Sequence, residues 1–379
     1  SSGIPRWILG TAYIYIGAVF TQSIVWALEY YLWMLGRVAS QGMGVTVHYI
    51  VARTLQVILI IILRNVYALI LASLMGLAAQ ALYYWWVTKD FPNPSMGINV
   101  IKGRLTSTLL FGFQLWFFTY MGVLFYNILM YLVYTYLGPN NSGVYGLAVV
   151  MVNSVTSFGQ AITTVMSSRL SQGLGSNANI SREYHDYVIT AIVSSLLLTQ
   201  AASLVLPVFP IIGVISGRYV EAMPYAMALL GYAPLVVAAA TYTMYYWVVG
   251  RGWHALVINV AGACLGVLLF IALHWLGLYA AIISDYLAYA VIFIAFLIME
   301  RYILSNTELI IVAVLLPFII ASSLAFPVNA EPITYPLTQL LVIAVTLAVI
   351  YVTKPLPNSI IEQAPQPIRR LLMAFTRRN

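Results

Sequence analysis

The sequence predicts an all-α polytopic membrane protein with about eleven transmembrane helices. Hydrophobic residues make up 62% of its 379 positions, charged residues make up 7%, and the mean hydropathy is +0.93. A water-soluble domain carries about 25% charged residues, so this composition excludes that class of protein. The single cysteine, Cys264, also excludes an internal disulfide framework.

Apolar segments long enough to cross a bilayer recur along the chain with short polar breaks between them. As a helix, about 20 consecutive apolar residues span the hydrocarbon core. The longest polar linker, 89–104, contains the turn-forming sequence FPNP and is predicted to separate two helical bundles. The predicted spans are 7–36, 45–64, 65–88, 105–137, 143–173, 183–210, 219–249, 254–275, 277–299, 306–328 and 332–353.

The distribution of basic residues supports these spans and orients them. With the 36–45 loop on the cytoplasmic side, thirteen of the 17 Lys and Arg residues lie in cytoplasmic segments, three lie outside, and Arg53 lies within a span. Basic residues accumulate on the cytoplasmic side of membrane proteins. We therefore expect a multi-pass protein of the cytoplasmic membrane with a cytoplasmic C-terminal tail. The net charge of +7 then follows from topology and does not indicate nucleic-acid binding.

The chain is predicted to divide into five parts. Its last part has apolar residues on one helix face, namely Ile368, Leu371, Leu372 and Phe375, which is typical of an amphipathic helix on an anionic membrane surface. A solvated tail is the alternative. The parts are a first-lobe remnant of three helices (1–88), a cytoplasmic linker (89–104), a second lobe of six helices (105–300), two additional helices (301–353) and the cytoplasmic amphipathic tail (354–379).

Two short sequence matches indicate an internal repeat. WMLGR at 33–37 resembles WVVGR at 247–251, 214 positions later, and VYALILAS at 66–73 resembles LYAAIISD at 278–285, 212 positions later. Nearly equal offsets predict that the three N-terminal helices correspond to those of 219–299 within a parallel six-helix repeat. The second lobe then has three helices without a partner upstream, so we expect the first lobe to lack its first three helices.

The segment from Ser142 to Gln172 carries a stripe of uncharged polar residues. It is long enough to cross a bilayer and has no charge before Arg169. Five of its polar side chains are spaced for one helix face, and hydrocarbon offers them no hydrogen bonds. That face is predicted to line a hydrated substrate cavity, with contact to another helix as the alternative. The five residues are Asn153, Thr156, Gln160, Thr163 and Ser167.

Arg53 is predicted to lie near the middle of its span, where an unpaired cation is costly. Its guanidinium presents paired donors that suit the oxygens of a diphosphate. We therefore predict that Arg53 contacts the substrate, with an ion pair to Glu29 as the alternative. Other polar residues assigned to the cavity are Gln56 on the face of Arg53, Glu29 with Gln22 on the first span, and Gln114 and Asn127 on the fourth.

One acidic and three basic positions complete the predicted sites. Asp285 lies about 12 Å past an outer turn, counted at 1.5 Å per helical residue. A carboxylate at that depth is protonated, cation-bound or hydrogen-bonded, so Asp285 is a candidate H+ or Na+ site or a structural residue. Arg37, Arg169 and Arg251 lie at cytoplasmic helix ends, where they would steer phosphate into the cavity mouth or reflect topology alone.

A family resemblance rests on the run LGPNNSGVYGLA at 137–148. It resembles the junction between helices seven and eight of polysaccharide (Wzx-type) flippases, which belong to the multidrug/oligosaccharidyl-lipid/polysaccharide exporter superfamily. The resemblance covers about 105–300 well and 7–88 more weakly. Further motifs that resemble the family's follow in its order: SRLS at 168–171, GRY at 217–219, Gly250-Arg251 and GLYAAI at 277–282.

The resemblance implies a two-lobed exporter/flippase fold that opens its central cavity alternately to the two sides of the membrane. Its cargo would be an oligosaccharide on a polyprenyl or dolichyl diphosphate, carried without cofactor or metal by a chain for which a monomer is favoured. Two positions depart from the family: Asn127 stands where an Asp is frequent, and no proline stands near Met166. No coupling ion is therefore carried over from the family.

No enzyme site is predicted. The histidines lack metal-ligand spacing, and no glycine-rich phosphate loop follows a strand. Three alternatives stay open: a cation-coupled multidrug exporter of the same superfamily, a membrane glycan polymerase or glycosyltransferase, and a non-transporting membrane subunit. The histidines are His48, His185, His254 and His274.

Overall fold

The all-α fold class is confirmed by a computed structural model. The segments that it describes contain helices, turns and one isolated bridge between Leu356 and Thr376, but no strand. By internal packing the chain forms two compact units, Ser1–Ile101 and Lys102–Asn379. The described residues are 6–35, 37–63, 67–89, 106, 109–110, 112–113, 125, 127–175, 180–211, 217–300, 314–324, 334–357, 369 and 373–376.

Unit 1 contains three long helices. These are α1 (Arg6–Met34), α2 (Val38–Leu63) and α3 (Tyr67–Thr88). Helix α3 packs against both α1 and α2, and Val25, Leu32 and Tyr84 form the buried core between them. The hydroxyl of Tyr84 donates a hydrogen bond of 2.8 Å to the backbone carbonyl of Gln41, so the one polar group of this core is satisfied.

Unit 2 contains ten α-helices around a single large hydrophobic core; the number refers to its described residues. Helix α5 packs against α6, α8 and α9, and α11 packs against α9 and α10. The helices are α4 (Asn127–Leu137), α5 (Pro139–Gly175), α6 (Ile180–Val205), α7 (Val208–Ile211), α8 (Ala222–Leu230), α9 (Ala233–Val248), α10 (Gly252–Leu273), α11 (Leu278–Glu300), α12 (Leu316–Leu324) and α13 (Thr334–Thr353).

Several helices are long and apolar enough to cross a membrane. Within the described residues there are four of them: Ile70–Thr88, Tyr184–Pro210, Gly252–Leu276 and Leu278–Glu300. The pair α8 and α9, bent by 49°, makes a fifth if it is counted as one span. The multi-pass membrane architecture is thus confirmed, and the full set of eleven spans stays a prediction.

The bend between α8 and α9 has a local cause. Pro234 lies in the first turn of α9 and has no N–H to donate back to the preceding helix. At the same break the amide of Tyr232 donates to the carbonyl of Leu229, and the carbonyl of Ala228 accepts a hydrogen bond of 2.7 Å from the hydroxyl of Tyr286 on α11. A break inside an apolar span is therefore held in place by a side chain of the neighbouring helix.

The helix bounds of the two units follow the offsets seen in the sequence. Helix α1 ends at Met34 and α9 ends at Val248, 214 positions later. Helix α2 begins at Val38 and α10 begins at Gly252, also 214 positions later, and the ends of α3 and α11 are 212 positions apart. The predicted six-helix repeat involves more of the chain than these three pairs, so it stays a prediction.

The same correspondence extends to helix packing. In unit 1 a Cβ on Gly76 of α3 would lie 2.7 Å from the Cβ of Ala52 on α2, so only glycine permits this crossing. In unit 2 the corresponding residues are Ala288 on α11 and Gly266 on α10, and a Cβ on Gly266 would lie 3.2 Å from that of Ala288. Both crossings thus depend on a small residue at the same relative position.

The described part of the C-terminal tail is short. Residues Met373–Phe375 form a 3₁₀ turn, and the carbonyl of Phe375 accepts a hydrogen bond of 3.3 Å from the amide of Leu356. The tail therefore returns to the end of α13. Most of the predicted amphipathic helix lies outside the described residues, and the division of the chain into five parts stays a prediction.

Candidate functional site

Arg53 belongs to a short hydrogen-bonded chain in unit 1. Its guanidinium Nη1 donates a bond of 2.9 Å to Oε1 of Gln56, one helical turn later on α2. Gln56 in turn donates from Nε2 to the hydroxyl oxygen of Ser73 on α3, at 3.2 Å. Arg53 itself is exposed, and Gln56 is half-buried. The structure thus brings the predicted residues Arg53 and Gln56 together and adds Ser73, which the sequence analysis did not single out.

The predicted alternative for Arg53, an ion pair with Glu29, is wrong in this structure. The Glu29 carboxylate accepts a hydrogen bond of 2.8 Å from Nε2 of Gln41, at the start of α2. Arg53 lies twelve positions further along α2, where its only acceptor among the described residues is Gln56. The remaining candidate of this unit, Gln22, is half-buried on α1.

The polar stripe of α5 lies mostly inside unit 2. Thr156, Thr163 and Ser167 are all buried, and the hydroxyl oxygens of Thr163 and Thr241 on α9 are 3.1 Å apart. Helices α5 and α9 approach closely because Gly159 leaves room for Val237. In this structure these three residues make helix contacts, which is the alternative left open by the sequence, and their role in a cavity stays a prediction.

Asn153 begins a different, exposed polar face of α5. The side chains of Asn153, Ser154 and Ser157 are all exposed. Both serine hydroxyls donate back to helix carbonyls, Ser154 to Val150 at 3.3 Å and Ser157 to Asn153 at 2.7 Å, so they remain available as acceptors. The sequence analysis missed these two serines, although an i, i+3, i+4 spacing from Asn153 would have found Ser157. The Gln160 side chain lies outside the described residues.

Asp285 is a buried residue of α11 whose carboxylate accepts a hydrogen bond from a side chain of α5. The hydroxyl of Tyr145 donates a hydrogen bond of 2.6 Å to Oδ2 of Asp285, and both side chains are buried. Gly277, with a φ of 66°, makes the tight turn that starts α11 eight residues earlier. Gly138, with a φ of 88°, ends α4 and allows α5 to begin at Pro139, just before Tyr145.

Aromatic side chains surround this carboxylate on α11. Tyr286 and Tyr289 both have ring contacts with Tyr232 at the α8–α9 break. In the described part of the chain no group of three His, Cys, Asp or Glu residues is placed to hold a metal ion. A buried carboxylate with a phenol donor can hold a proton or a monovalent cation, or it can serve as a structural acceptor.

The other predicted site residues are not brought into one cluster. Asn127 is exposed on α4, and Gln114 lies outside the described residues. Arg37, Arg169 and Arg251 are exposed, and each lies at or near the end of a helix. Their predicted role at a cavity mouth involves both units and stays a prediction.

Comparison with known proteins gives one match. Residues 42–224 match a family model described as "Polysaccharide biosynthesis protein". The matched segment runs from α2 in unit 1 to the start of α8 in unit 2 and contains Arg53 and Tyr145. No curated protein and no solved structure matches the chain. Over these residues, a little under half of the chain, the protein is thus similar to polysaccharide biosynthesis proteins, and its described part has helices able to cross a membrane.

Proposed function

We propose that this protein flips lipid-linked oligosaccharide or polysaccharide precursors across the cytoplasmic membrane by alternating access. The observation that carries the proposal is the family match over residues 42–224, which covers helices of both units. Four or five apolar spans in the described residues provide the membrane frame. Exposed polar groups on other long helices, α2 and α5, would give the cargo groups to bind.

The physical problem is the transfer of a sugar head group through hydrocarbon. Each sugar hydroxyl that loses water without a new hydrogen bond costs several kcal/mol. Exposed polar side chains on long helices, such as Arg53 and Tyr49 on α2 and Asn153 on α5, would replace part of that water. The carrier lipid would stay in the bilayer. Such a cycle requires two conformations of similar energy and no covalent chemistry.

Asp285 is the residue that we assign to energy coupling. Its buried carboxylate and the Tyr145 hydroxyl lie between α5 and α11, where binding of H+ or Na+ would change the contact between two helices of unit 2. The same buried carboxylate favours a second candidate, a cation-coupled exporter of drugs. Under both candidates the basic helix ends at Arg37, Arg169 and Arg251 would face the cytoplasm.

Transport in liposomes tests the proposal. The purified full chain would be reconstituted with a fluorescent glycan on a polyprenyl diphosphate, and a membrane-impermeant quencher would report the fraction of label on the outer leaflet. We expect the accessible fraction to change several times faster than in protein-free liposomes. Transport of a fluorescent cationic dye but not of the glycan would replace this function with drug export. Transport of neither would refute both.

A further inference from the structure

We propose that Gln56 and Ser73 are positioning residues that hold the Arg53 guanidinium as a binding site for an oxyanion. The inference rests on the proposed function in one respect: it identifies the oxyanion with the phosphate groups of the lipid carrier. The site lies entirely within unit 1, on α2 and α3.

The direction of the hydrogen bonds is fixed by Arg53. A guanidinium is only a donor, so Arg53 requires the oxygen end of the Gln56 amide, and the 2.9 Å bond to Oε1 meets that requirement. The nitrogen end then points at the Ser73 oxygen, 3.2 Å away. Turning the amide over would place N–H groups against the guanidinium. Arg53 therefore sets the orientation of the Gln56 amide, and Ser73 accepts from its nitrogen and holds the side chain beside Arg53.

The acceptor of Arg53 carries no charge. A carboxylate at this place would neutralise the guanidinium, whereas the Gln56 amide fixes its position and leaves the full positive charge. A guanidinium has five N–H donors, and the described contacts use one of them. Because Arg53 is exposed, the others can point at a ligand. Planar paired donors with an uncompensated charge are the chemistry that binds phosphate oxygens.

The depth of Arg53 limits which anions can reach it. It lies fifteen residues after the start of α2 and ten before its end, or about 22 Å and 15 Å along the axis at 1.5 Å per residue. Phosphates of ordinary lipids lie at the two surfaces of a bilayer whose apolar core is about 30 Å thick. With α2 crossing the bilayer as the sequence predicts, an anion at Arg53 would lie inside the membrane, as the diphosphate of a translocated carrier lipid would.

The repeat provides an independent comparison for Ser73. Its corresponding residue in unit 2, 212 positions later, is Asp285, and the residues corresponding to Arg53 and Gln56 are Val267 and Phe270. Where the arginine is absent, the same position carries an acid. Where the arginine is present, the position carries a neutral hydroxyl, so nothing in this chain of three residues neutralises Arg53.

Two readouts test the inference. Transport of the diphosphate-linked glycan would be measured against glycan concentration, and pyrophosphate binding would be measured by calorimetry on the full chain in nanodiscs. Loss of one charge-assisted bond is worth about tenfold in affinity. We therefore expect Gln56→Glu, which neutralises Arg53 in place, to raise the half-saturation concentration and the pyrophosphate Kd about tenfold. The maximal rate should change much less.

The remaining variants separate positioning from folding. Ser73→Ala is expected to raise both constants about threefold, because the Gln56 side chain loses the acceptor that holds it beside Arg53, and Ser73→Thr should restore them. Gln56→Met keeps the side-chain length and should resemble Ser73→Ala even if Gln56→Glu does not fold. Thr54→Ala, at an exposed neighbour on α2, is the matched control and should leave both constants unchanged.

The outcomes distinguish this inference from the proposed function. Unchanged half-saturation and unchanged pyrophosphate binding in folded Gln56→Met and Ser73→Ala would overturn the positioning role while transport itself stands. If the wild type binds pyrophosphate and the variants bind it less well, but no glycan is transported, the proposed function fails and the oxyanion site stands. Absence of pyrophosphate binding by the wild type would overturn the site.

Discussion

The hydrogen bond between Tyr145 and Asp285 allows a sharp test of the charge on a buried carboxylate. The bond is 2.6 Å long and both side chains are buried between α5 and α11. A hydrogen bond to a charged group is worth about 1.5–3 kcal/mol, compared with about 0.5–1.5 kcal/mol for a bond between neutral groups. If Asp285 is ionised, Tyr145→Phe should reduce the free energy of unfolding by about 2 kcal/mol.

Tyr286, the residue after Asp285 on α11, provides a matched control. Tyr286 is also buried, and its hydroxyl donates a hydrogen bond of 2.7 Å to a neutral acceptor, the carbonyl of Ala228. Tyr286→Phe removes the same atom from a similar environment and should cost about 1 kcal/mol. The difference between the two variants therefore reports the charge of the acceptor rather than the loss of a buried hydroxyl.

Unfolding by denaturing detergent in mixed micelles, followed by tryptophan fluorescence, would measure both free energies. The double variant of Tyr145→Phe with Asp285→Asn isolates the effect of the charge, because the Asn oxygen still accepts the bond; its cost should be about 1 kcal/mol smaller than the sum of the single costs. Equal costs for Tyr145→Phe and Tyr286→Phe would refute an ionised Asp285. Asp285 would then carry a proton in this state, so it would be a proton-binding or structural acid, and its assignment as a Na+ site would lose its physical basis.

Two further predictions concern α5. Thr163→Val keeps the shape of the side chain and removes the hydroxyl contact with Thr241. If Thr163 serves helix packing, the free energy of unfolding should fall by about 0.6 kcal/mol and transport should not change. If Thr163 lines a cavity, transport in liposomes should fall several-fold. Gly159→Ala would place a Cβ 3.0 Å from the Cβ of Val237, so the same unfolding assay should show a loss of about 1–3 kcal/mol. Val237→Ala should recover part of that loss, and failure to do so would show that the glycine acts elsewhere.

The fold class was predictable because it depends on sums over many residues. An excess of apolar residues is spread along the whole chain, so no single contact decides it. The repeat offset was also readable, since WMLGR and WVVGR mark the ends of α1 and α9. A few positions that depart from such a chain-wide pattern therefore do not change the prediction.

The spacing of the polar residues on α5 did not predict which face of the helix is buried. The stripe from Asn153 to Ser167 has a regular helical period, but a period does not say which neighbour covers which face. Gly159 decides that, because the absent Cβ lets Val237 of α9 approach and turns Thr163 inward. Shape complementarity between two helices is a tertiary property that the pattern of one helix does not contain.

The partners of the charged residues differ in how far they were predictable. Arg53 and Gln56 are three positions apart on α2, a spacing at which side chains of a helix are neighbours, so this contact was available from the sequence. Tyr145 and Asp285 are 140 positions apart, and nothing in the sequence pairs them. The competing ion pair between Arg53 and Glu29 failed because Gln41, at the near end of α2, bonds the carboxylate instead.

Helices α1–α3 of unit 1 correspond to α9–α11 of unit 2 in several of their bounds, but the charges at two pairs of corresponding positions differ. Helices α2 and α3 cross at Gly76, and α10 and α11 cross at the corresponding Ala288, so the backbone frame is shared. A shared frame places side chains at equivalent depths, and the difference between Ser73 and Asp285 then decides the sign of the charge that each group accommodates. At these two pairs of positions unit 1 has Arg53 and the neutral Ser73, and unit 2 has the neutral Val267 and the acid Asp285. Under the proposed function, an anionic cargo would therefore bind in unit 1 and a cation in unit 2, on different helix groups.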